Sequence, residues 1–301
     1  MKIAVAASPE VALPTLELLL TSGHDLALVI SRPDSPVGRG RELTATAVSN
    51  WAMKKGIELY RPSLIAEFDN RLTTFDLVIT IGYGLLLPEV ILNQPKFGFI
   101  NLHFSLLPKL RGAAPAQRAI IEGLTETGVT VFKLDPGMDT GPIYIQEKFS
   151  IRPETTAGEL LVQLAQLGPG VIAKTLIAIE NGTEPTPQDD AQASYAAKLN
   201  KSEGQINWQE SSAVIVNKIM GFSPNPGATA SFRGEVLRLN RAKISEVKLS
   251  PREILVKSAS LYVGTSTTAV EILDLTPAGK RSMSAFSWAN GARISDGELI
   301  E

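Results

Sequence analysis

Short apolar runs alternate with amphipathic segments along the first 180 residues of the chain. Buried-strand patterns occur at residues 2–7, 26–31, 57–60, 77–81, 97–102 and 141–149, and helical patterns at residues 9–21, 45–54 and 156–180. Strands that alternate with helices are typical of a mostly parallel sheet covered by helices on both faces. We therefore predict an α/β domain with a Rossmann-like, mostly parallel sheet.

The pattern changes after a polar, proline-bearing segment at residues 181–190. One helix is predicted at residues 211–221, and five short strands follow at residues 228–232, 235–242, 254–257, 261–263 and 269–275. Closely spaced short strands favour a small β-barrel, here of the OB type. The sequence thus predicts a catalytic domain at residues 1–188, a linker at residues 189–206 and a β-barrel domain at residues 207–301.

Composition restricts the possible chemistry more than it restricts the fold. The chain has 301 residues, of which 44% are apolar, and it contains no Cys and two His, His24 and His103. The lack of Cys excludes disulfides, thiolate nucleophiles and cysteine-ligated metal sites, and two distant His do not favour a metal site either. Imidazole chemistry therefore falls to one of two residues. His103 has polar neighbours, whereas His24 lies in a predicted turn.

Charge and hydropathy limit the possible partners and location. The net charge of −2 argues against a general nucleic-acid binder, which is usually basic, although it allows a nucleic-acid partner. The apolar start of the chain is ended by Pro9 and Glu10, too early for a secretory signal. No segment is predicted to be long and apolar enough to span a bilayer. We expect a cytoplasmic, monomeric protein.

The most informative polar residues end the apolar run at residues 97–102. Asn101 and His103 are two positions apart, so on a strand their side chains point to the same side. Ligands of parallel α/β sheets bind beyond the carboxyl ends of the strands, where these two residues lie. Asp139 follows about one strand and one loop later. An amide, an imidazole and a carboxylate can together stabilise an oxyanion, move a proton and orient the imidazole.

The end of the first strand argues against a nucleotide cofactor. Its sequence is Ala6-Ala7-Ser8-Pro9, at the place where a dinucleotide-binding fold has its glycine-rich turn. Neither G-x-G-x-x-G nor a Walker sequence occurs in the chain. We therefore expect no nicotinamide, flavin or ATP chemistry.

Several motifs occur along the chain, before, within and after the segment that contains the candidate site. They are Arg32-Pro-Asp-Ser-Pro-Val-Gly-Arg-Gly-Arg41, Tyr83-Gly-Leu-Leu-Leu-Pro88, Asn101-Leu-His103-Phe-Ser-Leu-Leu-Pro108, Arg111-Gly-Ala-Ala-Pro115, Asp135-Pro-Gly-Met-Asp139-Thr-Gly141, Tyr195-Ala-Ala-Lys-Leu199 and Pro277-Ala-Gly-Lys-Arg-Ser-Met-Ser284. The sequence resembles the folate-dependent formyltransferases, and among them the enzymes that act on methionyl-tRNA. The likeness runs in order from the first strand to about residue 290.

This resemblance implies transfer of the formyl group of 10-formyltetrahydrofolate to the methionine amino group of initiator methionyl-tRNA. Asn101 would stabilise the oxyanion of the tetrahedral intermediate by amide donation. His103 would donate to that oxygen or shuttle a proton. Asp139 would orient the imidazole and help to remove the ammonium proton. The folate would be a cosubstrate, and no metal is implied.

The resemblance also implies contacts with the two substrates. Ser105, Leu106, Leu107 and Pro108 correspond to the family's folate-contacting stretch, where an apolar loop that offers backbone hydrogen bonds suits a flat pterin. Arg39 and Arg41 lie in the loop that meets the tRNA acceptor stem in the family. The C-terminal barrel would supply a second tRNA surface through phosphate contacts.

Other interpretations remain open at this point. The same chemistry could act on a sugar-nucleotide or purine-precursor amine, water could replace the amine in a 10-formyltetrahydrofolate hydrolase, or the chain could bind tRNA without activity. The arginine loop and the barrel favour tRNA. Taken alone, His103 could be structural, Asp139 could cap a turn, and Arg39 and Arg41 could form a solvated loop. Phe104 departs from the glycine that the family commonly has after the histidine.

Overall fold

A computed structural model describes residues 1–37, 42–295 and 297–301 of the chain. The described residues form two compact units. The first unit comprises residues 1–113, 127–149 and 161–196, and the second comprises residues 114–126, 150–160 and 197–301. Two short segments before residue 161 therefore belong to the second unit, so no single cut separates the units. The domain boundaries at residues 188 and 206 stay predictions.

Strands and helices alternate over most of the first 180 residues, as predicted, but the strand at Glu126–Lys133 was not predicted from the sequence. The strands are β1 (Lys2–Ala7), β2 (Asp25–Ile30), β3 (Ser35–Val37), β4 (Glu42–Thr44), β5 (Leu59–Tyr60), β6 (Leu77–Ile81), β7 (Phe99–His103), β8 (Glu126–Lys133) and β9 (Ile143–Ser150). The α-helices are α1 (Leu13–Thr21), α2 (Ala47–Lys55), α3 (Glu89–Leu92), α4 (Pro115–Ile121) and α5 (Ala157–Glu180). Short 3₁₀ turns occupy Glu10–Ala12, Ile65–Glu67 and Asn70–Thr74.

Seven of these strands form one sheet in the order β5-β2-β1-β6-β7-β8-β9. The pairs from β5 to β7 are parallel, and β7 pairs with β8 in the antiparallel sense. The mostly parallel, Rossmann-like sheet is therefore confirmed. The small hairpin of β3 and β4 was not predicted, because its three-residue strands are too short to produce an alternating pattern.

Helix α2 shows how local sequence fixes an element of this fold. Its N-cap Thr46 accepts a hydrogen bond from the backbone N–H of Ser49 at 3.0 Å, which satisfies one of the free donors of the first turn. Gly56 ends the helix in the left-handed conformation, at φ 69°, where a side chain would be strained. Lys54 and Lys55 lie in the last turn, where the helix dipole favours cations.

The two faces of strand β7 have different surroundings. A Cβ added to Gly168 of α5 would lie 2.7 Å from Leu102 Cδ2 and 3.0 Å from Thr15 Oγ1 of α1, so Leu102 meets these helices at close range. Because side chains alternate along a strand, Asn101 and His103 point to the opposite face of the sheet. The fold thus separates the apolar side of β7 from the candidate polar side.

Helix α5 corrects one expectation from the sequence. It has 24 residues, and an 18-residue stretch of it has a mean hydropathy of 1.4, so by length and composition it is long enough and apolar enough to cross a membrane. Part of the helix belongs to the protein core, since Leu164, Val171 and Ile172 are fully buried. The core helix of a folded domain can have the same length and composition, so these two properties alone are weak evidence for a membrane span.

The second unit contains a small antiparallel sheet. The α-helices and strands of this unit after residue 197 are α6 (Ser212–Phe222), β10 (Ala228–Phe232), β11 (Glu235–Ile244), β12 (Ile254–Lys257), β13 (Ser260–Val263), β14 (Val270–Pro277), β15 (Met283–Ser284) and α7 (Ala285–Ala292). The strand order is β10-β11-β14-β13-β12, and β15 pairs with β14. The predicted C-terminal β domain is confirmed, although β15 and α7 were not predicted.

The last residues of the chain join the two outer strands of this sheet. Ser231, the second-last residue of β10, exchanges two backbone hydrogen bonds with Glu301, at 2.7 and 2.8 Å. On the other side, Ile254 of β12 donates to the carbonyl of Glu298 at 3.1 Å, and Ile300 donates to the carbonyl of Arg252 at 3.0 Å. Residues 298–301 therefore close the sheet on itself, which protects both of its edges.

Gly128 of strand β8 lies close to the backbone of strand β9. A Cβ at this position would lie 2.2 Å from the carbonyl oxygen of Glu147 and 2.6 Å from Leu106 Cδ2, so the backbone of β9 must move. We expect Gly128→Ala to lower the free energy of unfolding by about 1–3 kcal/mol. Thermal unfolding followed by circular dichroism measures the change.

Gly170→Ala is the matched control, because no atom lies within 4 Å of the Cβ it would add in helix α5. Replacing a helical glycine by alanine there should leave the unfolding midpoint unchanged or raise it slightly. If Gly128→Ala unfolds at the parent's midpoint, the close approach of β9 to Gly128 is contradicted.

Candidate active site

His103 ends strand β7, and its ring is buried, with 6% of the side chain exposed. Its Nε2 lies 3.0 Å from the carbonyl oxygen of Leu110, which can only accept, so Nε2 carries a proton and donates it. Nδ1 faces Asp139 Oδ2 at 3.7 Å, beyond hydrogen-bond length. In the neutral ring, Nδ1 is therefore the free base, and it is placed beside a carboxylate. This geometry suits an imidazole that takes up and returns a proton.

Asn101 lies two residues before His103 and is only partly buried. Its Oδ1 accepts a hydrogen bond from the hydroxyl of Thr80 on the neighbouring strand β6, at 2.8 Å. The two residues are direct partners in the parallel register of β6 and β7. Because Oδ1 is engaged, the Nδ2 end of the amide is turned away from Thr80 and is available as a donor.

Asp139 is held in an unusual conformation by its backbone and its side chain. Its φ of 56° lies in the left-handed region, which costs a non-glycine residue roughly 1–2 kcal/mol. The backbone N–H of Gly112 donates to Asp139 Oδ2 at 2.7 Å, the same oxygen that faces His103. Two residues on, a Cβ added to Gly141 would lie 1.8 Å from the carbonyl oxygen of Lys133, so only glycine fits there. The loop therefore aims the carboxylate at the imidazole.

Gln188 supports the Asp139 loop from a distant part of the chain. Its Nε2 donates to the carbonyl oxygens of Asp139, at 2.9 Å, and Gly141, at 2.7 Å. Its Oε1 accepts from Arg111 Nε, at 3.1 Å, and Nη2, at 2.7 Å. Arg111 Nη2 also donates to Asp190 at 2.7 Å. The Arg111 guanidinium is 3% exposed, so these acceptors provide the partners that a buried cation requires.

The predicted folate-contacting loop is fixed by side chains of the sheet. Thr130 of β8 donates to the carbonyl of Ser105, at 2.6 Å, and accepts from the N–H of Leu107, at 3.1 Å. Gln146 of β9 donates to the carbonyl of Leu107 at 2.8 Å. Ser105 and Leu107 are buried, whereas Leu106 and Pro108 are partly exposed. The N–H of Leu107 is thus bonded to Thr130 and its carbonyl to Gln146, and the contact of residues 105–108 with a folate stays a prediction.

Phe104 is buried, with 8% of its surface exposed. The side chain that replaces the family's glycine is therefore packed within the first unit and is not turned out to solvent.

Two predicted residues cannot be placed. Arg39 and Arg41, the candidate tRNA contacts, lie outside the described residues.

Tyr83 lies just beyond strand β6 and is 5% exposed. Burial raises the pKa of its phenol to about 12, while the nearby positive charge of Arg32 lowers it. The hydroxyl therefore stays neutral at physiological pH. Within the described residues, both Tyr83 Oη and Arg32 Nη1 are buried without a hydrogen-bond partner. We assign no chemical role to this pair.

A cavity of about 350 Å³ lies in the second unit. Phe232, Arg233, Lys280 and Trp288 are among the residues that line it, and Asn101, His103 and Asp139 are not. The candidate active site therefore rests on the chemistry and geometry of its side chains rather than on the size of a cavity.

Sequence reasoning missed two residues of this site, Thr80 and Gln188. Thr80 carried a weak signal, because it is the one polar residue in the apolar run of β6, Leu-Val-Ile-Thr-Ile. Gln188 carried none, since it lies in the polar segment that was taken as a domain edge. Both act through contacts with residues far along the chain, which local patterns do not reveal.

The fold and the grouped side chains define an α/β enzyme suited to group transfer through an oxyanion. The model of the formyl transferase family matches residues 1–176, and that of the formyl transferase C-terminal domain matches residues 198–293. The chain belongs to the formyl transferase family, which confirms the resemblance found in the sequence.

Full-length relatives narrow the comparison within the family. A methionyl-tRNA formyltransferase of Streptomyces griseus subsp. griseus is 41% identical, over 100% of this chain and 99% of the relative. Another, of Salinispora tropica, is 39% identical over the whole of both chains. These alignments include both the sheet of the first unit and the β domain of the second.

Solved structures share the fold at low sequence identity. The sugar 3N-formyl transferase WlaRD, solved in the presence of dTDP and 5-N-formyl-THF, has a TM-score of 0.68 at 19% identity and covers 93% of this chain and 99% of that chain. A methionyl-tRNA formyltransferase from Clostridium thermocellum has a TM-score of 0.59 at 16% identity and covers 82% and 95%.

Gln188→Leu tests the support of the Asp139 loop. The substitution keeps the size of the side chain but removes its four hydrogen bonds, and it leaves the buried Arg111 guanidinium short of an acceptor. We expect a loss of about 1–3 kcal/mol in the free energy of unfolding. The midpoint of urea denaturation measures this loss.

Gln192→Leu is the control, since exposed Gln192 bonds only the nearby Asp189, at 2.8 Å. It should leave the urea midpoint within error of the parent. An unchanged midpoint in Gln188→Leu would contradict the role assigned to Gln188.

Proposed function

We propose that this protein transfers the formyl group of 10-formyltetrahydrofolate to the amino group of methionine on initiator methionyl-tRNA. The observation that carries the proposal is the full-length match to relatives of that name, at about 40% identity, which includes the C-terminal β domain. The grouping of His103 and Asp139 at the end of β7 supplies the chemistry. The protein acts in the cytoplasm as a monomer, with folate as its cosubstrate and without a metal.

Asn101 acts on the oxygen of the formyl group. Attack of the amine on the formyl carbon gives a tetrahedral intermediate with a negative oxygen and a positive nitrogen. The Nδ2 of Asn101, which is free because Oδ1 is bonded to Thr80, donates a hydrogen bond to that oxygen. One such donor is typically worth about 3 kcal/mol of transition-state stabilisation.

His103 and Asp139 act on the proton of the attacking amine. The free Nδ1 of His103 takes this proton from the intermediate, and the carboxylate 3.7 Å away stabilises the charged ring. The bond between the formyl carbon and N10 of the folate then breaks, and the proton passes to N10. The products are formyl-methionyl-tRNA and tetrahydrofolate.

Substrate contacts complete the proposal. The folate lies against residues 105–108, where partly exposed Leu106 and Pro108 provide apolar surface. Arg39 and Arg41 contact the phosphates or base edges of the acceptor stem. The β domain of the second unit provides a second tRNA surface.

Transfer of labelled formyl from 10-formyltetrahydrofolate to tRNA tests this function directly. We expect the parent protein to formylate initiator methionyl-tRNA and not elongator methionyl-tRNA. His103→Ala should lower kcat by roughly 10²–10⁴-fold, the usual contribution of a general acid–base residue. His24→Ala, which removes the other histidine, should keep the parent's activity.

The other outcomes of this assay separate the alternatives. If folate turnover required a sugar-nucleotide or purine-precursor amine, that amine and not methionyl-tRNA would be the acceptor. Formate release without any amine would indicate a hydrolase. Binding of tRNA without folate turnover would contradict an enzyme altogether.

Arg41→Ala tests the proposed tRNA loop. Loss of a phosphate or base contact should raise the apparent KM for methionyl-tRNA, with little change in the KM for the folate. The difference in KM between Arg41→Ala and the parent should become smaller as salt is added, because salt screens the electrostatic contact that Arg41 makes in the parent. If KM and kcat for methionyl-tRNA are both unchanged, this loop does not contact the substrate.

A further inference from the structure

Thr80 is a buried polar residue in the centre of the apolar sheet. It is 5% exposed, and the other residues of strand β6 are Leu77, Val78, Ile79 and Ile81, all fully buried. A threonine hydroxyl in such a place needs a hydrogen-bond partner, because an unsatisfied buried hydroxyl is costly. Its partners therefore indicate why the position is polar.

The hydroxyl of Thr80 has two acceptors within reach. Its Oγ1 lies 2.8 Å from Oδ1 of Asn101 and 3.1 Å from the carbonyl oxygen of Ile100. A hydroxyl has one proton, so it donates to one of them, and the shorter contact is that to Asn101. The side-chain amide of Asn101 is thereby held with its oxygen toward β6 and its nitrogen away from it.

We propose that Thr80 is a positioning residue that sets the orientation of the Asn101 amide. The inference rests on the proposed formyl transfer, in which Asn101 must present an N–H and not a carbonyl oxygen to the developing oxyanion. An amide has nearly the same shape when it is turned by 180°, so packing alone does not distinguish its two ends. The hydroxyl of Thr80 distinguishes them because it donates to oxygen.

The opposite orientation of the Asn101 amide predicts the opposite effect of removing the Thr80 hydroxyl. If Nδ2 of Asn101 donated to Thr80 Oγ1, the hydroxyl proton would go to Ile100, and Oδ1 would face the oxyanion. Removal of the hydroxyl would then free Nδ2 and leave the rate unchanged or raise it. Under our proposal, removal of the hydroxyl leaves the amide without a preferred end and lowers the rate.

Thr80→Val removes the hydroxyl and keeps the shape of the side chain. We expect kcat for formyl transfer to fall roughly tenfold, the equivalent of one net hydrogen bond, with KM for both substrates unchanged. Thr80→Ser retains the hydroxyl and should restore most of the parent's kcat. A kcat of Thr80→Val that equals or exceeds that of the parent would overturn the proposal.

Two further measurements separate positioning from a merely structural role. Thr175→Val is a matched loss of a buried hydroxyl, because fully buried Thr175 donates only to the carbonyl of Val171 within helix α5. It should keep the parent's kcat. In an Asn101→Ala background, Thr80→Val should cause no further loss, since its effect passes through Asn101. An equal loss in that background would contradict the proposal.

A readout without turnover keeps this inference separate from the proposed function. The side-chain amide resonances of Asn101 are identified by their loss in Asn101→Ala. They should shift in Thr80→Val and return toward the parent's position in Thr80→Ser, whether or not the parent transfers formyl. Resonances that do not move in Thr80→Val would overturn the positioning role. Absence of formyl transfer by the parent would overturn the proposed function alone.

Discussion

The hydrogen bond from the N–H of Gly112 to the carboxylate of Asp139 is the interaction on which the candidate site depends. It holds the oxygen that faces His103 at 2.7 Å from a backbone donor. The rest of the site can be understood as the means of keeping that oxygen in place. The left-handed backbone of Asp139 aims the side chain, and Gln188 donates to the backbone carbonyls of Asp139 and Gly141.

Burial gives these contacts their strength and also determines their number. A guanidinium that is 3% exposed would be unstable without acceptors, and Arg111 has two, Gln188 and Asp190. Asp190 is 82% exposed, so one partner of the cation reaches solvent while the other reaches the Asp139 loop. The first unit thereby connects a surface carboxylate, a buried cation and the Asp139 loop in one hydrogen-bonded chain.

How much of this could be predicted depends on whether the information is local. Alternation along β7 was enough to place Asn101 and His103 on one face, and the run of short strands was enough to predict the second β domain. The pairing of Gln188 with Arg111 spans 77 positions, and the closure of the β sheet by residues 298–301 also joins segments that are far apart in the chain. Such contacts depend on how the chain folds back, and neither composition nor periodicity encodes them.

The same distinction explains the expectations that failed or remained incomplete. No segment was expected to be long and apolar enough to span a bilayer, but helix α5 is, because a helix buried on one side against the sheet needs a long apolar face. The loop at residues 105–108 was predicted to offer backbone hydrogen bonds to a pterin, and the pattern did not show that Thr130 and Gln146 bond the backbone of Leu107. In both cases, contacts with distant parts of the fold, which a local pattern does not show, determine the role of the segment.

The tautomer of His103 tests the account of the site most directly. The chain has two histidines, so ¹⁵N-histidine labelling gives two ring systems, and His24→Gln identifies the signals of His103. At a pH where the ring is neutral, the account predicts a proton on Nε2, bonded to Leu110, and a free lone pair on Nδ1 beside Asp139. A proton on Nδ1 would contradict it, because the basic nitrogen of the neutral ring would then be Nε2, which faces the carbonyl oxygen of Leu110.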